Sequence, residues 1–193
     1  MNVVGEGTSP HSDTPLFHVV LHQPEIPNNT GNIGRTCVAT ACWLHLIHPL
    51  GFDLSEKARR RAGLDYWPRL DVREHQSWEA YRASGGAIRP WLLTTHAERS
   101  IFDANFQRGD HLVFGSETRG LPANILGSDR ERCLTLPMVA GERSLNLATA
   151  VCAVVFEGIR QLVSVGACQL DSAGRLVPWP NEPHDSRAEI RDV

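Results

Sequence analysis

The stretch LFHVVLHQPEIPNNTGNIGRTCVATACWLHLIH, residues 16–48, reads as a strand, a polar loop, a helix and a second strand. Residues 16–21 and 44–48 are short apolar runs, and residues 31–43 between them carry apolar side chains at helical spacing. Two strands joined by a helical crossover run parallel, because the helix returns the chain to the edge it started from. The same alternation continues outward. Further strands are expected at 69–73, 88–94, 111–114 and 133–136, and helices at 55–62, 77–84, 122–126 and 145–163. The pattern predicts an α/β fold, a mostly parallel sheet with helices on both faces. The last helix is apolar on nearly every side from Leu145 to Phe156, which predicts burial all round, best met in a subunit interface.

Composition bounds the function. A chain of 193 residues, 41% hydrophobic and 21% charged, suits one soluble domain that folds without disulfide or metal. Residues 1–15 and 169–193 are rich in Gly, Ser and Pro with scattered charges and read as poorly ordered tails around a domain at 16–168. The longest apolar run is far shorter than the roughly 20 residues of a membrane span, so no membrane association is expected. The first residues have neither the basic nor the apolar region of a secretory signal. Five cysteines without a CxxC pair argue for free thiols and a cytoplasmic location. The net charge of −3 speaks against nucleic acid until it is partitioned. The two tails hold seven acids and three bases, which leaves 15 acids and 16 bases in the centre, with a basic cluster at Lys57, Arg59, Arg60 and Arg61.

In a parallel sheet the loops leaving the carboxyl ends of the strands share one edge, and ligands bind there. Three such loops stand out: HQPEIPNNTGN (22–32), GSETRG (115–120) and PMVAGERSLN (137–146). Asn29 or Thr30 can cap a helix starting at Gly31, and Ser144 can cap the last one. Arg35, about one turn into the first helix, opposes the positive end of the helix dipole, which calls for an anionic partner, with Glu25 or Glu117 as the structural candidates. His22 leaves the first strand toward this edge. GSETRG lacks the lysine of a P-loop, no His/Cys spacing suggests a metal, and neither Ser116 nor Ser144 sits in a nucleophile elbow. Amides, backbone donors and arginine without a nucleophile suit the transfer of an already activated group, in which the protein supplies orientation.

Taken together, PEIPNNTGNIGR (24–35), FGSETRGLP (114–122) and LPMVAGERSLNLATAV (136–151) resemble the three ordered motifs of the SPOUT superfamily of S-adenosylmethionine (AdoMet)-dependent RNA methyltransferases. RRAGLDYW (60–67) is similar to the TrmL-type subfamily, which methylates the ribose 2′-hydroxyl of the tRNA wobble nucleotide. The resemblance spans about residues 16–165. It implies a SPOUT-type fold with a deep trefoil knot in the C-terminal half, and an obligate homodimer. It implies that AdoMet lies against Leu93, Thr94, Gly115, Leu136, Met138 and Ser144, and that no metal is required. Arg35 would position the hydroxyl and stabilise charge on its oxygen, while Asn32, Glu117 and Asn146 orient substrate and cofactor. The implied substrate is the anticodon loop of tRNA, at C or a modified U in position 34. The alternatives are a ribose elsewhere in tRNA or in rRNA, a non-catalytic RNA-binding protein of the same fold, and a flavodoxin-like nucleotide-binding protein. The chain departs from the motifs at Asn28, at Gly34, which is expected to loosen the first helix beside Arg35, and at Ala140 and Gly141.

Overall fold

The computed structural model describes residues 14–61, 64–85, 90–127 and 130–177. In chain order the elements are β1 (His18–His22), α1 (Pro27–Ala39), β2 (Trp43–Ile47), α2 (Glu56–Arg61), β3 (Val72–His75), α3 (Trp78–Ala83), β4 (Trp91–Leu93), β5 (His111–Phe114), α4 (Ala123–Leu126), β6 (Cys133–Leu134) and α5 (Leu147–Ser164). The six strands form one sheet in the order β3-β2-β1-β5-β4-β6, with every neighbouring pair parallel. Alternate side chains build two cores. Val19, Leu21, Leu44, Leu46, Leu112 and Phe114 pack under α1 and α5. Val20, Ile47, Leu92 and Val113 pack against Tyr81 of α3 and Ile125 of α4. The helices therefore cover both faces, as the alternation predicts.

Element boundaries differ from the sequence reading where proline or a remote partner decides them. Helix α1 begins at Pro27, four residues before Gly31, because proline's fixed φ and missing amide hydrogen suit the first helical position. Pro68 lies in a single helical turn, Trp67–Arg69, and β3 begins only after it, at Val72. β4 has three residues; residues 88 and 89 of the expected strand lie outside the described ones, as does Ala62 at the end of the helix expected at 55–62. Beyond the expected boundary at residue 168, Leu170 pairs with Leu176 around a turn in which the Asp171 carboxylate accepts from the amides of Ala173 and Arg175 at 2.8 and 2.9 Å. The outer parts of both expected tails, 1–13 and 178–193, lie outside the described residues. The five cysteines are free thiols.

Helix α5 is not buried all round. Val151, Val154, Val155, Ile159 and Leu162 face the sheet. At Gly158 a Cβ would stand 2.5 Å from the fully buried ring of Phe17, so only glycine lets the helix lie this close. The opposite stripe is apolar and uncovered: Phe156 is 53% exposed, with Thr149 exposed and Ala153 half-buried one turn apart along it. By length and composition α5 alone among the described helices is long and apolar enough to cross a bilayer. Its stripe buried against the sheet, and the Glu157–Arg160 ion pair at 2.8 Å, make it a core helix.

The second face of the sheet carries a row of histidines. The two ring nitrogens of His45 lie 2.9 Å from Nδ1 of His18 and 3.0 Å from Nε2 of His75. His18 stacks on His111 at 3.9 Å between centroids, and Nδ1 of His111 is 2.5 Å from the Tyr81 hydroxyl. Burial, reinforced by neighbouring positive charge, lowers these groups to about 4 for His18, about 2 for His45 and about 3 for His111. The folded protein therefore holds them neutral while the unfolded chain protonates them near pH 6.5. Their contribution to stability is complete above pH 6.5 and is lost as the pH falls toward the folded values. With up to three protons taken up on unfolding, stability should fall by up to ~4 kcal/mol per pH unit between about pH 6 and 4, at ~1.4 kcal/mol per proton. Urea unfolding at a series of pH values measures this, and a stability that stays level from pH 7 to 4.5 would contradict it.

Candidate active site

The carboxyl ends of β1, β4, β5 and β6 lie on one edge, and the loops leaving them enclose a cleft of about 720 Å³. That is the size of a small-molecule site. Residues 93–96 after β4, 114–121 around the end of β5, and Leu134, Thr135, Leu136 and Met138 form three walls. Residues 143–147 and Ala150, at the start of α5, close one end, and Ile26 and Asn29 of the first α1 turn close another. Leu93, Thr94, Gly115, Leu136, Met138, Ser144, Glu117 and Asn146 all line this cleft. Arg35 and Asn32 do not.

The loops are fastened to one another. Helix α1 starts after Ile26, which offers no side-chain cap, and the two residues that lead into it are held by Glu117 from the loop after β5. The Glu117 carboxylate accepts from the amides of Glu25 at 2.8 Å and Ile26 at 3.3 Å, and from Asn29 Nδ2 at 2.9 Å. A carboxylate is favoured there by the helix dipole and by charge-assisted hydrogen bonding. The clamp is reciprocal, since Glu25 accepts from the Thr118 amide at 3.0 Å and hydroxyl at 2.7 Å. Asn29 Oδ1 accepts from Asn146 Nδ2 at 2.9 Å, and Asn146 caps α5 by accepting from the amides of Ala148 and Thr149. Neither Asn29 nor Thr30 caps α1, and Asn146 rather than Ser144 caps α5. Asn29, which joins Glu117 to Asn146, is the site residue that the sequence reading does not select.

Glycine shapes the middle loop. The Gly120 amide donates to the Ser116 carbonyl at 2.9 Å with Gly120 at φ +66°, and a Cβ on Gly115 would stand 2.0 Å from the Gly120 carbonyl carbon. Any side chain at 115 would force this turn open. Arg119 is 78% exposed beside Glu25, and Arg143 is exposed on the cleft.

Arg35 occupies a different position from the one its sequence suggested. With α1 starting at Pro27, it lies more than two turns inside the helix, beyond the reach of the terminal dipole. Its guanidinium lies 4.8 Å from the centre of the Tyr66 ring and 4.0 Å from Asp65, and pairs with neither Glu25 nor Glu117. Asn32, also exposed, accepts the Thr36 hydroxyl on its carbonyl. Gly34 does not loosen α1: a Cβ there would meet Leu70 at 2.9 Å and Trp67 and Tyr66 at 3.4 Å, so its absence lets the 64–70 segment pack against the helix. His22 turns to the second face, buried against Trp78. In the basic cluster Arg60 pairs with Glu56, while the side chains of Arg59 and Arg61 lie outside the described residues. Among the described residues no three His, Cys, Asp or Glu side chains converge as metal ligands would.

Residues 16–156 match the model of the SpoU rRNA Methylase family. The tRNA (cytidine(34)-2'-O)-methyltransferase of Saccharophagus degradans is 45% identical over 153 residues, covering 79% of this chain and 99% of that protein. A solved structure concerned with the 2-OH methylation of C/U34 on tRNA superposes with a TM-score of 0.71 at 46% identity, covering 80% of this chain and 99% of the other. The SpoU methyltransferase AviRb of Streptomyces viridochromogenes, in complex with the cofactor AdoMet, superposes with a TM-score of 0.63 at 26% identity over 78% of this chain and 62% of its own. With its match running from β1 into α5 and the Saccharophagus degradans protein covered almost end to end, the chain belongs to the SpoU rRNA Methylase family.

Proposed function

We propose that this chain methylates the ribose 2′-hydroxyl of nucleotide 34 of tRNA, a cytidine or a modified uridine, with AdoMet as methyl donor. The observation that carries the reading is the convergence of the three motif loops on one cleft, in a chain 45% identical to a tRNA (cytidine(34)-2'-O)-methyltransferase.

The cleft residues fit AdoMet. No hydrogen bond within the described residues engages the amides of Leu136 and Met138, which leaves them for the edge of adenine, while Leu93, Leu136 and Leu147 offer apolar wall to its faces. Gly115, Thr94 and Ser144 line the remaining length. AdoMet brings an activated methyl group, so the protein has to align oxygen, methyl and sulfur and stabilise the charge that grows on oxygen. Arg35 cannot serve as the base, because guanidinium stays protonated in proteins; it can hold the hydroxyl and stabilise the oxyanion. Glu117 and Asn146, engaged in the loop clamp, keep the walls in register. Arg119 and Arg143 on the rim suit RNA phosphates.

Arg35 sits six residues beyond Asn29, about 9 Å along α1 at 1.5 Å per residue. It does not line the cleft of its own chain. The uncovered apolar stripe of α5, beside which α1 packs, supports a two-fold homodimer in which Arg35 and Asn32 complete the partner's site. Family membership also supports the trefoil-knotted path and a cytoplasmic location alongside tRNA.

Incubation with methyl-labelled AdoMet and total tRNA, followed by nuclease mapping, should place the label on the ribose of nucleotide 34. Label on a base, or only on a ribose at another position, would refute the assignment. Arg35→Ala should abolish transfer while leaving AdoMet binding intact, and Met138→Trp, which fills the cleft, should abolish both. Mixing the two inactive proteins under subunit exchange should restore about a quarter of the native activity, because half the dimers then hold one intact composite site. No recovery would place Arg35 in the site of its own subunit.

A further inference from the structure

The DYW segment at residues 65–67 has no part in the cleft, yet it packs against the helix that carries Arg35. Tyr66 is 3% exposed, and its hydroxyl donates to the carbonyl of Gly31, one turn before Arg35 on α1. Its ring is thus registered to the backbone of that helix. Gly31 and Gly34 leave room for the leucines that flank it, since a Cβ would stand 3.2 Å from Leu64 and 2.9 Å from Leu70, and the Tyr66 hydroxyl and ring lie against the same two positions at 3.7 and 3.4 Å. The outer face of the ring supports the Arg35 guanidinium at 4.8 Å, and Asp65 flanks it at 4.0 Å.

We infer that Tyr66 is a positioning residue for the methyl transfer, a fixed platform that holds the Arg35 guanidinium in one orientation. The inference rests on the role of Arg35 proposed above. An arginine 66% exposed on a helix surface would otherwise sample many rotamers, and a donor meant to meet a developing oxyanion is effective only if its direction is set beforehand. A guanidinium stacks on an aromatic face through the ring's negative quadrupole, so the platform has to be aromatic, and a buried hydrogen bond from the ring to α1 keeps it from tilting.

The test is a comparison of Tyr66→Leu and Tyr66→Phe in the full-length protein, using labelled AdoMet and tRNA. Tyr66→Leu keeps an apolar side chain in the socket and removes the ring; it should lower kcat tenfold or more with the KM for AdoMet unchanged. Tyr66→Phe keeps the ring and should retain activity within about threefold. In an Arg35→Lys background, under single-turnover conditions, Tyr66→Leu should cost less than twofold more, because the residue acts through Arg35. Losses that multiply in the double variant, or a Tyr66→Leu kcat within twofold of native, overturn the inference even where Arg35 itself proves essential. Full activity in Arg35→Lys overturns the role of Arg35 and the inference with it. Should Tyr66→Leu fail to fold, the native protein still decides: the ¹⁵N-labelled Arg35 Nε–H signal, identified by its absence in Arg35→Lys, should be ring-shifted upfield, and a random-coil position refutes the platform.

Discussion

The amide hydrogens of Glu25 and Ile26, which lead into α1, are satisfied from across the cleft. Pro27 starts the helix after Ile26, and neither can accept a hydrogen bond through its side chain; the lead-in is held instead by Glu117, about ninety residues later. This anchor exists only once β5 has docked beside β1. The dependence also runs in reverse, because Glu25, just before the helix, holds the amide and hydroxyl of Thr118 in the loop that bears Glu117. Through Asn29 and Asn146 the same network reaches the cap of α5. The starts of both long helices are therefore fixed by side chains that line the cleft, and the cleft cannot change shape without releasing them.

This remote anchoring of the lead-in to α1 explains what the sequence could and could not disclose. Strand and helix alternation, and the sharing of one edge by the three polar loops, follow from local apolar spacing and were legible. So were the cleft positions, but only through the motif resemblance. The start of α1 was not, because a scan for Ser, Thr, Asn or Asp caps lands on Asn29 and Thr30, whereas proline at the first position and a carboxylate from another loop set the boundary. That error of one turn carried into the reading of Arg35, whose supposed conflict with the helix dipole disappears once the helix begins at Pro27. Gly34 misled in the same way. Local propensity counts a glycine in a helix as a loss, but the packing of Leu70, Trp67 and Tyr66 shows what a side chain there would displace. Propensity describes a helix alone, and this one is shaped by what lies against it.

The histidine row is a second feature invisible to motif reading. His18, His45 and His111 alternate with apolar residues on strands that are buried on both faces, at positions where a hydrophobic side chain is the usual solution. They are tolerated because neutral imidazole has one donor and one acceptor, so a line of rings across adjacent strands can satisfy itself without water. A positive charge on any ring would meet its neighbours and Arg73, and burial and repulsion therefore act in the same direction. None of these three rings lines the cleft. The proton chemistry of the row belongs to stability and lies apart from the cleft.

The balance of charge reinforces that division. The central region has nearly equal numbers of acids and bases, yet the bases are not equally available. Arg60 and Arg160 are held by acids on their own helices. Arg73 lies over Trp43, and Arg99 and Arg132 lie over the indole of Trp91. Arg119 and Arg143 reach the cleft, and Arg35 lies exposed on the neighbouring helix. At physiological salt, charges farther apart than about 8 Å are largely screened, so a polyanion at the cleft responds to the nearby arginines and not to the sum over the chain. A protein of negative net charge can therefore present a locally positive site to RNA, provided its bases elsewhere are already engaged within the protein.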